Sequence, residues 1–130
     1  MENSSVNKIR LGGDGKTYID DIDSFYYAIH NHPDNGCLSP GDLINFLKKR
    51  NMLGLEAVGN NGYSSSIIMK TVESDIDGYN EFIVNEIYKF KNKYPDLNVE
   101  KDIDLINNFC KMLLEKGEIY GFKIRWLVWW

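Results

Sequence analysis

The run Ile29-His30-Asn31-His32-Pro33-Asp34-Asn35-Gly36-Cys37-Leu38-Ser39-Pro40-Gly41-Asp42-Leu43 constrains this chain more than any other stretch. It holds both histidines of the sequence. Asp23 to His32 is rich in aromatic and β-branched residues and reads as a strand. Side chains alternate along a strand, so His30 and His32 project to one face. Pro33 has no amide hydrogen to give a ladder and disfavours helical backbone at His32, so the strand should end there. A short turn, Asp34-Asn35-Gly36, leads to a helix start. Ser39 is a good N-cap, Pro40 suits the first helical position, and Asp42 falls at the third. Leu43, Phe46 and Leu47 then form an apolar stripe, and the helix runs to about Asn51. Lys48-Lys49-Arg50 sit where cations complement the helix C-terminus.

Taken singly, these features are ordinary. Ser39-x-x-Asp42 is a capping pattern, and two histidines on a strand can be polar rim residues. Their conjunction points to chemistry. Asp42, in the first helical turn, can swing back toward the strand end where both imidazoles emerge. Two histidines and one acid, with a fourth position for water, are the ligand set of a catalytic zinc site. Cys37 lies in the same loop. A thiolate ligand there would instead close a four-ligand structural site.

His30-x-His32-Pro33, five residues, then Ser39-x-x-Asp42 resembles the signature of the JAMM/MPN metalloproteases. It is most similar to the prokaryotic and phage-borne JAB-like and RadC-like branch. The resemblance spans roughly residues 18 to 72, with a loop one residue shorter than the commonest spacing. It implies zinc ligation by His30, His32 and Asp42, and a role for Ser39 in stabilising the developing oxyanion. It also implies an α/β fold of JAMM type, which is cytidine-deaminase-like: a mixed β-sheet flanked by helices. The family carries a general-base glutamate on an upstream strand. The only glutamate before His30 is Glu2, which stands closer to the histidines than is usual in the family. Asp14, Asp20, Asp21 and Asp23 are the other upstream carboxylates.

Composition narrows the setting. A chain of 130 residues fits a single domain with a core that needs no disulfide staples. The net charge of −4, with no dense basic patch, argues against a nucleic-acid partner. No stretch reaches the ~18 apolar residues of a membrane helix, and Met1 to Ser5 lacks a signal pattern. Cys37 and Cys110 show no disulfide-framework spacing, so a reducing, cytoplasmic location is expected, in a bacterial or phage-infected cell.

The rest of the chain reads as follows. Val6 to Asp21 is a hairpin about Gly12-Gly13-Asp14-Gly15, which lacks the spacing of a phosphate-binding loop. Leu55 to Gly59 and Tyr63 to Thr71 form a second hairpin about Asn60-Asn61-Gly62, with Ile67, Ile68 and Met69 crossing the core. Val72 to Gly78 is an acidic linker. Tyr79 to about Tyr94 and Val99 to Lys116 are amphipathic helices forming an antiparallel pair on the sheet. Gly117 ends the second helix, and Cys110 is a small core residue. The tail from Ile119 to Trp130 alternates as a final strand.

These features lead to a zinc-dependent hydrolase of peptide or isopeptide bonds, acting on a protein or peptide substrate. The rival expectation is a catalytically degenerate JAMM-like module that binds another protein, for example a phage-encoded inhibitor. Such a module needs no internal glutamate. Its contact would run through Trp126, Trp129 and Trp130, which all fall in the last five residues.

Overall fold

A computed structural model of the chain describes residues 24–32, 37–59 and 64–128. In chain order these form β1 (Tyr26–His32), α1 (Pro40–Lys48), β2 (Met52–Gly59), β3 (Ser64–Met69), α2 (Ile76–Lys93), α3 (Ile103–Lys116) and β4 (Lys123–Val128). A 3-10 turn, Gly117–Tyr120, joins α3 to β4. The hairpin expected at Val6 to Asp21 and the turns Asp34-Asn35-Gly36 and Asn60-Asn61-Gly62 lie outside the described residues. No helix among the described residues is long and apolar enough to cross a membrane.

The strands make one four-stranded sheet in the order β1-β2-β3-β4. β1 runs parallel to β2, with α1 as the connection between them. The other neighbouring pairs are antiparallel. The fold is therefore mixed α/β, as expected. Register shows which residues share a face. Ala28 pairs with Leu55, which pairs with Ile68 and then Ile124. One row further along, His30, Ala57, Ser66 and Trp126 stand side by side.

The core lies on that face. Leu43, Phe46 and Leu47 of α1, Tyr79 and Ile83 of α2, and Leu113 and Leu114 of α3 are buried against Ala28, Leu55, Ala57 and Ile68. All three described helices thus cover the face that bears the histidines. Alternation puts Ile67 and Met69 on the opposite face. Only Ile68 of the Ile67-Ile68-Met69 run is in the core, which corrects the expectation that all three cross it. On that opposite face Gly54 lies under the Tyr27 ring, where an added Cβ would collide with ring carbon Cδ1.

The helical pair packs as expected. The Tyr79 hydroxyl, at the start of α2, donates to the Leu113 carbonyl near the end of α3 at 2.7 Å. Burial pushes this phenol above its usual range. Nearer the other end, the Phe90 and Phe109 rings stack with centroids 4.1 Å apart.

Several boundaries differ from the sequence reading: α1 ends at Lys48 and not near Asn51, β2 begins at Met52 and not Leu55, and the last strand begins at Lys123 and not Ile119. The segment read as a linker to Gly78 is already helical from Ile76, because the Asp75 carboxylate caps the helix by accepting from the Gly78 amide at 3.0 Å. α3 begins at Ile103 rather than near Val99, after a turn in which Asn98 and Asp102 hydrogen-bond to nearby amides. Gly117 does not take the left-handed cap position. Its backbone stays right-handed and continues as the 3-10 turn, and Gly121 adopts the positive φ of 87°. The Gly121 carbonyl is held by the Thr71 hydroxyl at 2.6 Å and the Ser74 hydroxyl at 3.1 Å. An added Cβ at Gly121 would strike the Glu73 carbonyl.

Candidate metal centre

The site begins where β1 ends. Among the described residues β1 is an edge strand, and its parallel pairing sets His30 beside Ala57 and His32 beside Gly59. These small neighbours leave room above the sheet. Leu38 occupies part of it: the side chain is fully buried, and its amide donates to Ser66 Oγ at 3.2 Å. The chain then enters α1 through a complete capping box. The Asp42 amide donates to Ser39 Oγ at 3.1 Å, and the Ser39 amide donates to Asp42 Oδ2 at 2.9 Å. The reciprocal bond turns the Asp42 carboxylate back over the helix N-terminus, toward the histidines.

Three ligand-type atoms meet there. His30 Nε2 and His32 Nε2 are 3.2 Å apart. His32 Nε2 lies 3.0 Å from Asp42 Oδ2, and His30 Nε2 lies 3.6 Å from the same oxygen. The imidazoles meet edge to face, with ring planes at 62°. A tetrahedral ion with bonds of roughly 2.0–2.1 Å holds its ligand atoms about 3.3 Å from one another. The observed separations bracket that spacing, so the group can hold a metal ion. The side chains are 10%, 14% and 21% exposed for His30, His32 and Asp42, so they are shielded yet reachable.

Electrostatics favour a charged Asp42. Burial raises its pKa, but hydrogen bonds from His30, His32 and the Ser39 amide outweigh burial and hold the carboxyl below the usual carboxylate range. The aspartate is therefore an anion at neutral pH and can ligate without first losing a proton.

A small cavity opens beside the ligands, lined by His30, Asp42, Asn45, Phe46, Lys49, Met52 and Leu55. Its lining mixes polar residues with the apolar Phe46, Met52 and Leu55.

The structure thus brings together His30, His32, Asp42 and Ser39. Glu2 and the upstream aspartates Asp14, Asp20, Asp21 and Asp23 lie outside the described residues. Among the described residues, Asp42 is the one carboxylate in the group. Cys37 does not join it, which corrects the reading of a closed four-ligand shell. Its thiol donates to the Leu38 carbonyl at 3.7 Å, and the Cys110 thiol beside it, with burial, pushes the Cys37 thiol far above its ordinary range.

Trp126 sits on β4 at 36% exposure, with the Lys111 ammonium 5.6 Å from its ring centroid. Trp129 and Trp130 lie outside the described residues.

One contributor escaped the sequence reading. The Lys70 ammonium, just past β3, donates to the Phe46 carbonyl at 2.8 Å and the Lys49 carbonyl at 2.7 Å. It closes the end of the helix whose start carries Asp42. Only the hairpin return of β3 brings it there, so no local pattern announces it. Compared with protein-family models, with curated proteins and with solved structures, the chain shows no match.

Proposed function

We propose that the protein is a zinc-dependent hydrolase of peptide or isopeptide bonds. The observation that carries this reading is the convergence of His30 Nε2, His32 Nε2 and Asp42 Oδ2 at separations of 3.0 to 3.6 Å. Nitrogen and oxygen donors in this number suit zinc, and three protein ligands leave a position for substrate or water. The resemblance of His30-x-His32-Pro33 and Ser39-x-x-Asp42 to the JAMM signature supports the same chemistry. The chemistry a bound zinc ion supplies is Lewis acidity, toward a scissile carbonyl and toward water.

The chain's own residues have distinct tasks. His30 and His32 hold the site on a rigid strand. Asp42 adds the negative charge, and the Ser39 amide fixes its orientation. Ser39 Oγ accepts the Asp42 amide, so its hydroxyl proton can be donated outward to an oxyanion. Proton transfer from water to a leaving amine needs a further carboxylate. Glu2 is assigned that task on the resemblance. The cavity beside His30 and Asp42 is where a small substrate side chain would rest.

A second reading follows from Asp42 being the one carboxylate in the group among the described residues. It is a catalytically degenerate module that keeps the metal site and binds a protein, with Trp126 at the contact. Cleavage of a peptide library and of an isopeptide-linked lysine conjugate by the zinc-loaded protein separates the two. The hydrolase requires turnover that Glu2→Gln and Asp42→Ala each reduce by at least about 100-fold. Zinc binding with no turnover on either substrate would favour the degenerate module.

A further inference from the structure

Asp42 and Asn45 on α1, and Lys49 at its C-cap, stand at i, i+3 and i+7, so they share one face of the helix. All three line the cavity that also holds His30. The cavity therefore joins two of the metal ligands to a carboxamide and a cation. Lys49 lies about 10 Å further along the helix axis than Asp42. Helical side chains lean toward the N-terminus, and a lysine stem of four methylenes covers roughly half of that distance. Its ammonium can therefore meet a group held a few bonds from the metal. Lys49 is half-buried, and no carboxylate pairs with it among the described residues. A cation at this position ordinarily serves the last carbonyls of the helix. Here Lys70 has that task, donating to the carbonyls of Phe46 and of Lys49 itself. Asp42 is engaged elsewhere, by both imidazoles and the Ser39 amide.

We propose that Lys49 and Asn45 form a carboxylate-binding subsite beside the metal centre, so that the preferred ligand carries a carboxylate a few bonds from the group held at the metal. The Lys49 ammonium supplies charge and the Asn45 amide a second donor, and both can converge on one carboxylate. Phe46, Met52 and Leu55 give the subsite an apolar wall, which strengthens an ion pair formed against it. The small size of the cavity suits a short acidic group, either an aspartate side chain or a chain-terminal carboxylate. The inference rests on the reading of His30, His32 and Asp42 as a zinc centre, and it names the ligand chemistry of that centre.

The test compares two hydroxamates binding to the zinc-loaded full chain by calorimetry. Succinic monohydroxamate and butyrohydroxamate carry the same zinc-binding group on chains of equal length, and only the first ends in a carboxylate. The acid should bind at least about 10-fold more tightly, as a charge-assisted hydrogen bond provides. Lys49→Met should bring that ratio to about 1, and Lys49→Arg, which keeps the charge, should retain most of it. Lys48→Met removes the same charge from the neighbouring exposed position and should leave the ratio unchanged. Displacement of the acid by an amide-capped aspartyl peptide assigns the carboxylate to a side chain; displacement by an uncapped alanyl peptide assigns it to a chain terminus. Equal binding of the two hydroxamates, a preference that survives Lys49→Met or falls equally in Lys48→Met, or displacement by neither peptide would overturn the proposal and leave the zinc centre standing. Failure of both hydroxamates to bind would instead strike the zinc centre, and the proposal with it.

Discussion

Ser39 and Asp42 show how a single residue pair can carry two meanings at once. As a capping box they satisfy amide groups at the start of α1. The same reciprocal bond fixes the carboxylate oxygen that meets both imidazoles, so cap and ligand are one structure. Ser39→Ala removes the bond to the Asp42 amide while leaving its own amide in place. Stability should fall by about 1 kcal/mol in denaturant unfolding of the metal-free protein. Zinc affinity should fall by roughly 10-fold or more, because a ligand that loses its orienting partner binds less well. The charge on Asp42 makes a separate prediction. Its pKa is depressed in the folded chain, so its stabilisation is present above the unfolded carboxyl value of about 3.9 and is lost as pH falls further. Metal-free protein should therefore lose stability on acidification below about pH 4 more steeply than Asp42→Asn, as read by urea midpoints at each pH. The residues of this site were legible because each sits within a local pattern: strand alternation for the histidines, a helix start for the aspartate. The reach of Lys70 to the end of α1 was not legible, because only the pairing of β3 brings it there.

Among the elements, β1, α1 and β2 form the unit that builds the site, and each was readable from apolar periodicity and its punctuation by Pro33, Ser39 and Pro40. What holds α1 in place was less visible. The cations Lys48, Lys49 and Arg50 looked sufficient for its C-terminus, yet the carbonyls of Phe46 and Lys49 take their hydrogen bonds from Lys70. The same ammonium lies 4.5 Å from the Phe46 ring centroid. Lys70→Met keeps most of the apolar stem and removes the charge. It should cost about 1–3 kcal/mol in equilibrium unfolding, as expected for hydrogen bonds to a charged group at a helix C-terminus. Lys48→Met, on the exposed side of the same turn, should change stability by less than about 0.5 kcal/mol. The starts of α2 and α3 were misplaced in opposite directions. Asp75 caps α2 from within a stretch that read as linker, whereas Asp102, read as helical, makes no side-chain cap and precedes a helix that starts only at Ile103.

At the scale of the whole molecule, the described residues form a two-layer arrangement: one mixed sheet with three helices on the face that carries the histidines. The candidate site lies at the carboxyl end of β1, which pairs in parallel with β2, beside the N-terminus of the helix that follows it. That is where α/β folds commonly place ligands, since the chain leaves the sheet there and side chains on loop and helix can converge. The helix N-terminus also carries partial positive charge, which favours the ionised Asp42. The long-range pairings that create this geometry, β1 with β2 and β3 with β4, follow from burying one face of each strand. Sequence periodicity gives the faces but not the strand order. The most direct measurement is zinc content of the purified protein by mass spectrometry, with titration calorimetry on the metal-stripped chain. The expected result is about one zinc ion per chain, lost in a His30→Ala/His32→Ala variant that still folds by circular dichroism. No binding at neutral pH in excess zinc, or undiminished binding by the double variant, would contradict the assignment of His30, His32 and Asp42 as a metal centre.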